Sequence, residues 1–490
     1  MVTVSLNSIN GNTVPTEESH NMEKLDTKPN NRKKLLKKYR TLLDEKSDVI
    51  TLILILLFCW VITYSIFGDQ VGLDSQTFSL VILFLAAKIA GYLISLLKIT
   101  PMAAMVVMGV ILKNIGFIQL DANYTKFIAI FRVVYCQLAI MNIMLPTGLG
   151  LDFSSVRKMI WMVLNLATLP VLIEATGLIL FSHFLLGLPW IWAILLGSLI
   201  AGVSLGVIVS CLFQLKDMAY GVNTGLHILV VAVSTINCVS CIAIFGILLG
   251  VVFSTDTLTM RILYGPIALI FGLAYGGSLG MICRYLPSSN EHYLVGLRTL
   301  LLGLGCLSGA YGGNALGYGA VGPLGCITAG FVASTGWRKQ GWESSHPVRM
   351  NFVLLWRFFE PIVFSLLGIE IDLSILDGTT IIFCIITVAV PVLLRVVASF
   401  VSTYSSNFNL KENIFIAICW IPKTTLQAAL GAVALDKARA LNDDAMIYYA
   451  TIVLVISVLS IVLTSPIGGV LIMRIGPKFL HRTIAENTII

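Results

Sequence analysis

IAICWIPKTTLQAALG, residues 416–431, is apolar enough to lie in a membrane, yet its middle holds a proline and a lysine. Pro422 deletes a helical hydrogen bond and bends or breaks the helix, and Lys423 sits beside that break. A second run of the same kind lies earlier in the chain: LLGSLIAGVSLGVIVS (195–210), whose middle is loosened by Gly202, Ser204, Gly206 and Ser210. Each follows an apolar segment that carries one charge. Glu174 lies in LPVLIEATGLILFSHFLLGLPW (169–190) and Arg395 in VAVPVLLRVVASF (388–400). Two broken helices at matching places in two halves are the sequence mark of an ion site at the centre of a membrane-spanning repeat.

The rest of the chain agrees with a bilayer setting. Of its 490 residues, 57% are hydrophobic and only 12% charged, against roughly 25% charged in soluble domains, and mean hydropathy is +0.92. A spanning helix needs about 20 mainly apolar residues. By that measure there are about fourteen candidate spans, centred near residues 58, 87, 107, 138, 171, 200, 238, 272, 302, 324, 361, 390, 424 and 460. The reading is an all-α polytopic membrane protein with a transmembrane domain over 49–475. A basic tail over 1–48 is expected to be disordered and cytoplasmic, and a short cytoplasmic tail covers 476–490. With the N-terminus inside, the inner loops and C-terminal tail hold thirteen Lys and Arg, whereas the outer loops hold Lys113, Lys126, Arg261, Lys437 and Arg439. This excess places both termini in the cytoplasm. Asn123-Tyr124-Thr125, a glycosylation triplet, then falls outside.

Other classes are excluded. The ten cysteines and six histidines form no disulfide framework or metal cluster, so neither metal nor cofactor is implied. The net charge of +7 is explained by orientation in the bilayer, and no nucleic acid is called for. The basic run NNRKKLLKKYR before the first span suits anionic lipid. The glycine-rich stretch 303–325 lies between two spans with no preceding strand, so it reads as close helix approach rather than a phosphate loop.

Ionisable side chains at membrane depth cost several kcal/mol and mark function. Those well inside the spans are Lys88, Glu174, Arg357, Glu360, Glu370, Arg395 and Lys423. Scattered and mixed in sign, they do not resemble the acid/base pair of an enzyme. Glu174 and Arg395 lie seven spans apart, an odd number, so their helices run in opposite directions, as inverted repeats require. They are expected to pair.

With these pieces in place the chain resembles the animal sodium/proton exchangers of the 9B group, in the cation:proton antiporter superfamily. The resemblance runs from about residue 80 to 475 and is carried by GLGLDFSSVRK (148–158), SHFLLGLPWIWAILLG (182–197), FEPIVFSLLGIEI (359–371) and FNLKENIFIAICWIPKTTLQAALGAVALDKAR (408–439). It implies a homodimeric antiporter of inverted repeats crossed by two interrupted helices, working by alternating access in pH and salt homeostasis, with the plasma membrane as the default location. Glu174 and Arg395 match the family's core ion pair, and Lys423 its lysine beside the crossover.

The departures surround the ion site. Where the family reads two adjacent aspartates, VVAVSTINCVSCIAIFG (230–246) has Asn237 and Cys238. Asn237 can offer a carbonyl oxygen but cannot titrate, and Cys238 offers only a weakly acidic thiol. Leu205 and Ser210 replace prolines of the first crossover, and Pro146 stands where an arginine is expected. The ion pathway is assigned to Asn237, Cys238, Lys423, Thr235 and Ser204, with Glu360 and Glu370 as candidate substitute carboxylates. Three functions remain open at this point. One is monovalent cation:proton antiport. The second is proton-coupled anion movement, such as chloride, around a Lys423 deprived of its acidic neighbours. The third is a non-transporting dimeric partner or regulator.

Overall fold

In hydrocarbon every backbone N–H and C=O must be bonded within the protein, and the chain answers with helices. The computed structural model describes most of residues 51–482. Residues 1–50, 483–490 and short stretches, among them 69–75, 119–121, 152–156, 254–257, 343–346, 372–377 and 405–407, lie outside the described residues. The tail expected over 1–48 therefore lies outside them, and the span expected near residue 58 lies partly so.

The first repeat comprises α1 (Gln76–Leu96), α2 (Pro101–Asn114), α3 (Ala122–Gly150), α4 (Ile160–Leu186), the interrupted pair α5 (Trp190–Ile200) and α6 (Leu205–Asp217), and α7 (Leu226–Phe253). After α8 (Leu258–Tyr285) the series recurs as α9 (Leu294–Ala315), α10 (Val321–Lys339), α11 (Pro347–Gly368), α12 (Gly378–Thr403), the interrupted pair α13 (Leu410–Ile418) and α14 (Thr425–Leu430), the short α15 (Val433–Leu441), and α16 (Asp444–Phe479). Among the described residues nine helical segments are long and apolar enough to cross a membrane. The expected count of fourteen is not reached on that criterion. Short α2 falls below the length, and the candidates near 324 and 424 fall on α10 and on the interrupted pair α13 and α14.

The packing repeats as the helices do. The pairs α1–α2, α4–α5, α5–α7, α6–α7 and α4–α7 recur as α9–α10, α12–α13, α13–α16, α14–α16 and α12–α16. The contact of α2 with α11 is mirrored by that of α10 with α3, and α4 packs on its own counterpart α12. The same set of pairs thus recurs in the two halves, as a two-fold relation between them would generate. Small residues allow the close approaches, as where a Cβ on Gly322 would come within 2.8 Å of Ala310.

Local sequence sets the ends. Gly187 closes α4 in the left-handed region at φ 66°, and Pro189 turns the chain into α5. Asn409 and Glu412 form a capping box on α13. The last helix, α16, runs to Phe479. Beyond it Gly221 N–H donates to the His481 carbonyl at 2.8 Å, and Arg482 bridges Tyr220.

Candidate functional site

An interrupted helix inside a membrane exposes carbonyls at one stump and N–H groups at the other, and these need partners. The two breaks supply many of each other's. Ser204 N–H donates to the Pro422 carbonyl at 2.9 Å, and the Ser204 and Thr424 hydroxyls are hydrogen-bonded to each other. Counting from the first residue of α6 and of α14, Ser204 corresponds to Thr424 and Val203 to Lys423. The hydroxyl pair thus lies on the two-fold relation. Gly202 is demanded by the crossing, since a Cβ there would collide with Leu426.

The last turn of α5 is capped from the second repeat. Gln427 Nε2 donates to the Leu199 carbonyl at 3.0 Å and the Gly202 carbonyl at 2.9 Å. The guanidinium of Arg395 donates to the Ala201 carbonyl between them. The remaining N–H groups are met by the helices alongside. Val203 N–H donates to Asn237 Oδ1 at 2.9 Å, and Lys423 N–H to Thr464 Oγ1 at 2.9 Å. Asn237 on α7 and Thr464 on α16 therefore do the same work in the two halves.

Charge is concentrated at one carboxylate. Glu174 Oε2 accepts from Arg395 Nη1 and, at 2.8 Å, from Lys423 Nζ, which also lies 2.8 Å from Oε1. All three side chains are at most 1% exposed. Arg395 also stands over the Trp420 ring at 5.7 Å. Two cations on one carboxylate leave one positive charge uncompensated. Of the two, only the lysine can give up its proton, because arginine stays protonated in proteins.

The sequence around this crossing matches a known class of membrane protein. The model of the family "Sodium/hydrogen exchanger, transmembrane" matches residues 79–471. Sodium/hydrogen exchanger 9B2 of Homo sapiens is 33% identical over 447 residues, 90% of this chain and 82% of the relative. Sodium/hydrogen exchanger 9B1 of Homo sapiens is 31% identical over 440 residues, 89% and 84%. The chain belongs to the sodium/hydrogen exchanger family. The fold of this exchanger is also that of the sodium proton antiporter MjNhaP1 from Methanocaldococcus jannaschii at pH 8, with a TM-score of 0.66 at 18% identity over 81% of this chain and 98% of that one.

The structure brings together Glu174, Arg395, Lys423, Pro422, Ser204 and Asn237. Lys423 is not the partnerless cation that the missing aspartates suggested: Glu174 holds it. Asn237 is also recast. Its carbonyl oxygen is engaged by Val203, and its amide Nδ2 points to Cys241 Sγ at 3.5 Å. Cys238 is buried at 1% exposure. Thr235 Oγ1 donates to the Val231 carbonyl of its own helix.

Of the candidate substitute carboxylates, Glu370 is paired with Arg439 at 2.7 Å, and Glu360 is buried on α11. Pro146 lies within α3, Leu205 opens α6, and Ser210 bonds back to its own helix. Thr424, Thr464 and Gln427 were not foreseen. The polar run TTLQ directly after Pro422 and Lys423 was the available signal for two of them.

Proposed function

We propose that this exchanger moves a monovalent cation against protons at the crossing, with Lys423 as the proton carrier and Glu174 as the carboxylate for which cation and ammonium compete. The observation that carries this reading is the bond from Lys423 Nζ to Glu174 at 2.8 Å in a fully buried cluster. With Lys423 protonated the carboxylate is occupied from both sides. Loss of that proton frees one side for a cation of the same charge, so burial of the two cargoes excludes one another, which is what antiport requires. The alternating movement would pass this site from one face of the membrane to the other.

The proton-linked anion reading rested on a Lys423 without acidic neighbours, and that premise is gone. A purely non-transporting role leaves unexplained why a buried, over-charged cluster is kept where a neutral one would be more stable. The same proposal includes a homodimer in the plasma membrane with both termini cytoplasmic. The charge asymmetry of the loops supports the orientation and the family resemblance supports the dimer. An anionic lipid surface under the basic run that ends the N-terminal tail completes it.

The test is reconstitution into liposomes with an internal pH dye, followed by sodium, lithium, potassium and chloride gradients in turn. Proton efflux driven by a cation gradient is the expected result, lost in Lys423→Met. Proton movement driven only by chloride would overturn it. The pair Asn237→Asp with Cys238→Asp is expected to raise sodium sensitivity, since an aspartate at 237 keeps the acceptor for Val203 N–H while adding charge.

A further inference from the structure

The helices pack as two sets. One surrounds the crossing and holds α4 to α7 with α12 to α16; the other, flanking set holds α1 to α3 with α9 to α11, and α8 lies against members of both. Between the sets, α2 packs on α16, α3 and α11 on α14, and α7 on α10. For the crossing to face the two sides of the membrane in turn, these contacts must slide. Among the described residues one ion pair joins the sets, Glu370 to Arg439.

α11 grips the crossing set at both of its ends. In its first turn the Arg349 guanidinium stands 4.6 Å from the centre of the Phe213 ring on α6. Just past its last residue Glu370 pairs with Arg439 on α15 at 2.7 Å. α6 follows the first break, and α14 with α15 the second, so one flanking helix holds the second part of each crossover. A shift of the crossing along α11 would carry Phe213 and Arg439 the same way, and both grips would have to open. The grips differ in strength. A guanidinium over a ring is a modest attraction, whereas the Glu370 side chain is 1% exposed and a carboxylate so buried is costly to strip of a cation. Each partner also sits on a firm base. Gly109 and Gly368 let α2 and α11 meet backbone to backbone just before Glu370, and Asn114 Nδ2 donates to the Ile371 carbonyl at 3.0 Å just after it. Arg439 is carried by α15, which buries Ala434, Leu435 and Ala438 and packs on α16 and α7.

We propose that Glu370 and Arg439 form a latch that holds the crossing set against α11 in this conformation and opens once in each cycle, so that its strength limits the maximal rate of exchange. This rests on the antiport reading above and adds to it a contact that governs movement rather than binding. Glu174, Arg395 and Lys423 bond to one another and to neither latch residue, so loosening the latch leaves the ion site as it is.

The test uses the full chain, purified and reconstituted into liposomes, with sodium, lithium and potassium gradients as probes. Arg439→Gln and Arg439→Glu are expected to raise the maximal rate by roughly threefold or more, the second further, while the apparent KM for the cation stays within about twofold. Arg439→Lys, which keeps the charge, stays near the wild-type rate. In Glu370→Cys with Arg439→Cys, a bis-thiosulfonate that bridges the two thiols is expected to stop exchange, and dithiothreitol to restore it; wild type treated alike is the control. Exchange that continues with the bridge in place would overturn the latch, because the two residues would then stay together throughout the cycle. A maximal rate at or below that of the wild type in a folded Arg439→Gln would overturn it too, and would make the pair a structural tie. Absence of cation-driven proton flux in the wild type would instead overturn the antiport reading. If the double cysteine variant fails to fold, the Arg439 variants decide alone.

Discussion

Between Ile200 and Leu205 the first crossover carries no charge, whereas between Ile418 and Thr425 the second carries Lys423. Both nevertheless complete their backbone in the same way. Val203 N–H is met by Asn237 on the following long helix and Lys423 N–H by Thr464 on its counterpart. The comparison separates two requirements that a sequence superimposes. The interrupted fold needs acceptors at fixed places, and either an amide or a hydroxyl serves. The chemistry needs charge, and here the crossing draws it from Glu174, Arg395 and Lys423. This is why replacement of the family's acidic pair by Asn237 and Cys238 leaves the scaffold intact.

The largest expected effect comes from the charge. Glu174→Gln strands two buried cations on the side of the second crossover and takes nothing from the first. It is expected to destabilise the protein by about 3–5 kcal/mol, the range for breaking a buried ion pair, read as a drop in the thermal midpoint in detergent. Adding Lys423→Met to it should restore part of the loss, since one of the stranded charges disappears. An unchanged midpoint in Glu174→Gln would mean that the cluster is already neutralised in another way.

The matched acceptors come next. Asn237→Leu and Thr464→Val each leave a buried N–H at a break without its partner, at about 1–3 kcal/mol. Nearly equal losses would sharpen the two-fold comparison. A harmless Asn237→Leu beside a damaging Thr464→Val would break it. Asn237→Asp should be nearly neutral for folding, because the acceptor stays.

The same contrast explains what the sequence could disclose. Pro422 with Lys423 in one half, and Gly202 with Ser204 at the matching place in the other, announce the breaks by their pairing, since a glycine or proline alone is common in membrane helices. Glu174 and Arg395 stand out because charge at membrane depth is costly, and the parity of the intervening spans is enough to set their helices antiparallel. That Lys423 joins the pair was not legible, since hydropathy gives depth and direction but not which side chains meet across the crossing. Glu360 and Glu370 looked equally available for that reason, and the pairing of Glu370 with Arg439 was no more legible than that of Lys423 with Glu174. Gln427 and Thr464 escaped notice because an amide or hydroxyl among small residues carries no sign of the stranded carbonyls or N–H groups it serves. The polar patch on α7 is explained in the same terms: Ser234 and Thr235 bond to their own helix, and Asn237 serves the break.

The smallest expected effect concerns the chain just beyond each break. After the first, α6 continues unbroken from Leu205 to Asp217, but after the second the chain turns again at Gly431 and Ala432 before α15. The second half is anchored across that extra turn by Arg439, whose guanidinium lies 2.7 Å from Glu370 at the end of α11 and is 34% exposed. α6 has no such need, its single helix being held along its length by α7 and α16. Arg439→Gln keeps a donor for the carboxylate and removes only the charge from a partly solvated position. Glu370 itself is 1% exposed, so the loss in stability is expected to be about 1–3 kcal/mol, between the values for exposed and for buried pairs, with the solvated part of it shrinking in high salt. A salt-independent loss several times larger would mean that the pair behaves as a buried one, and that the doubly turned half of the protein depends on charge for its fold as well as for its chemistry.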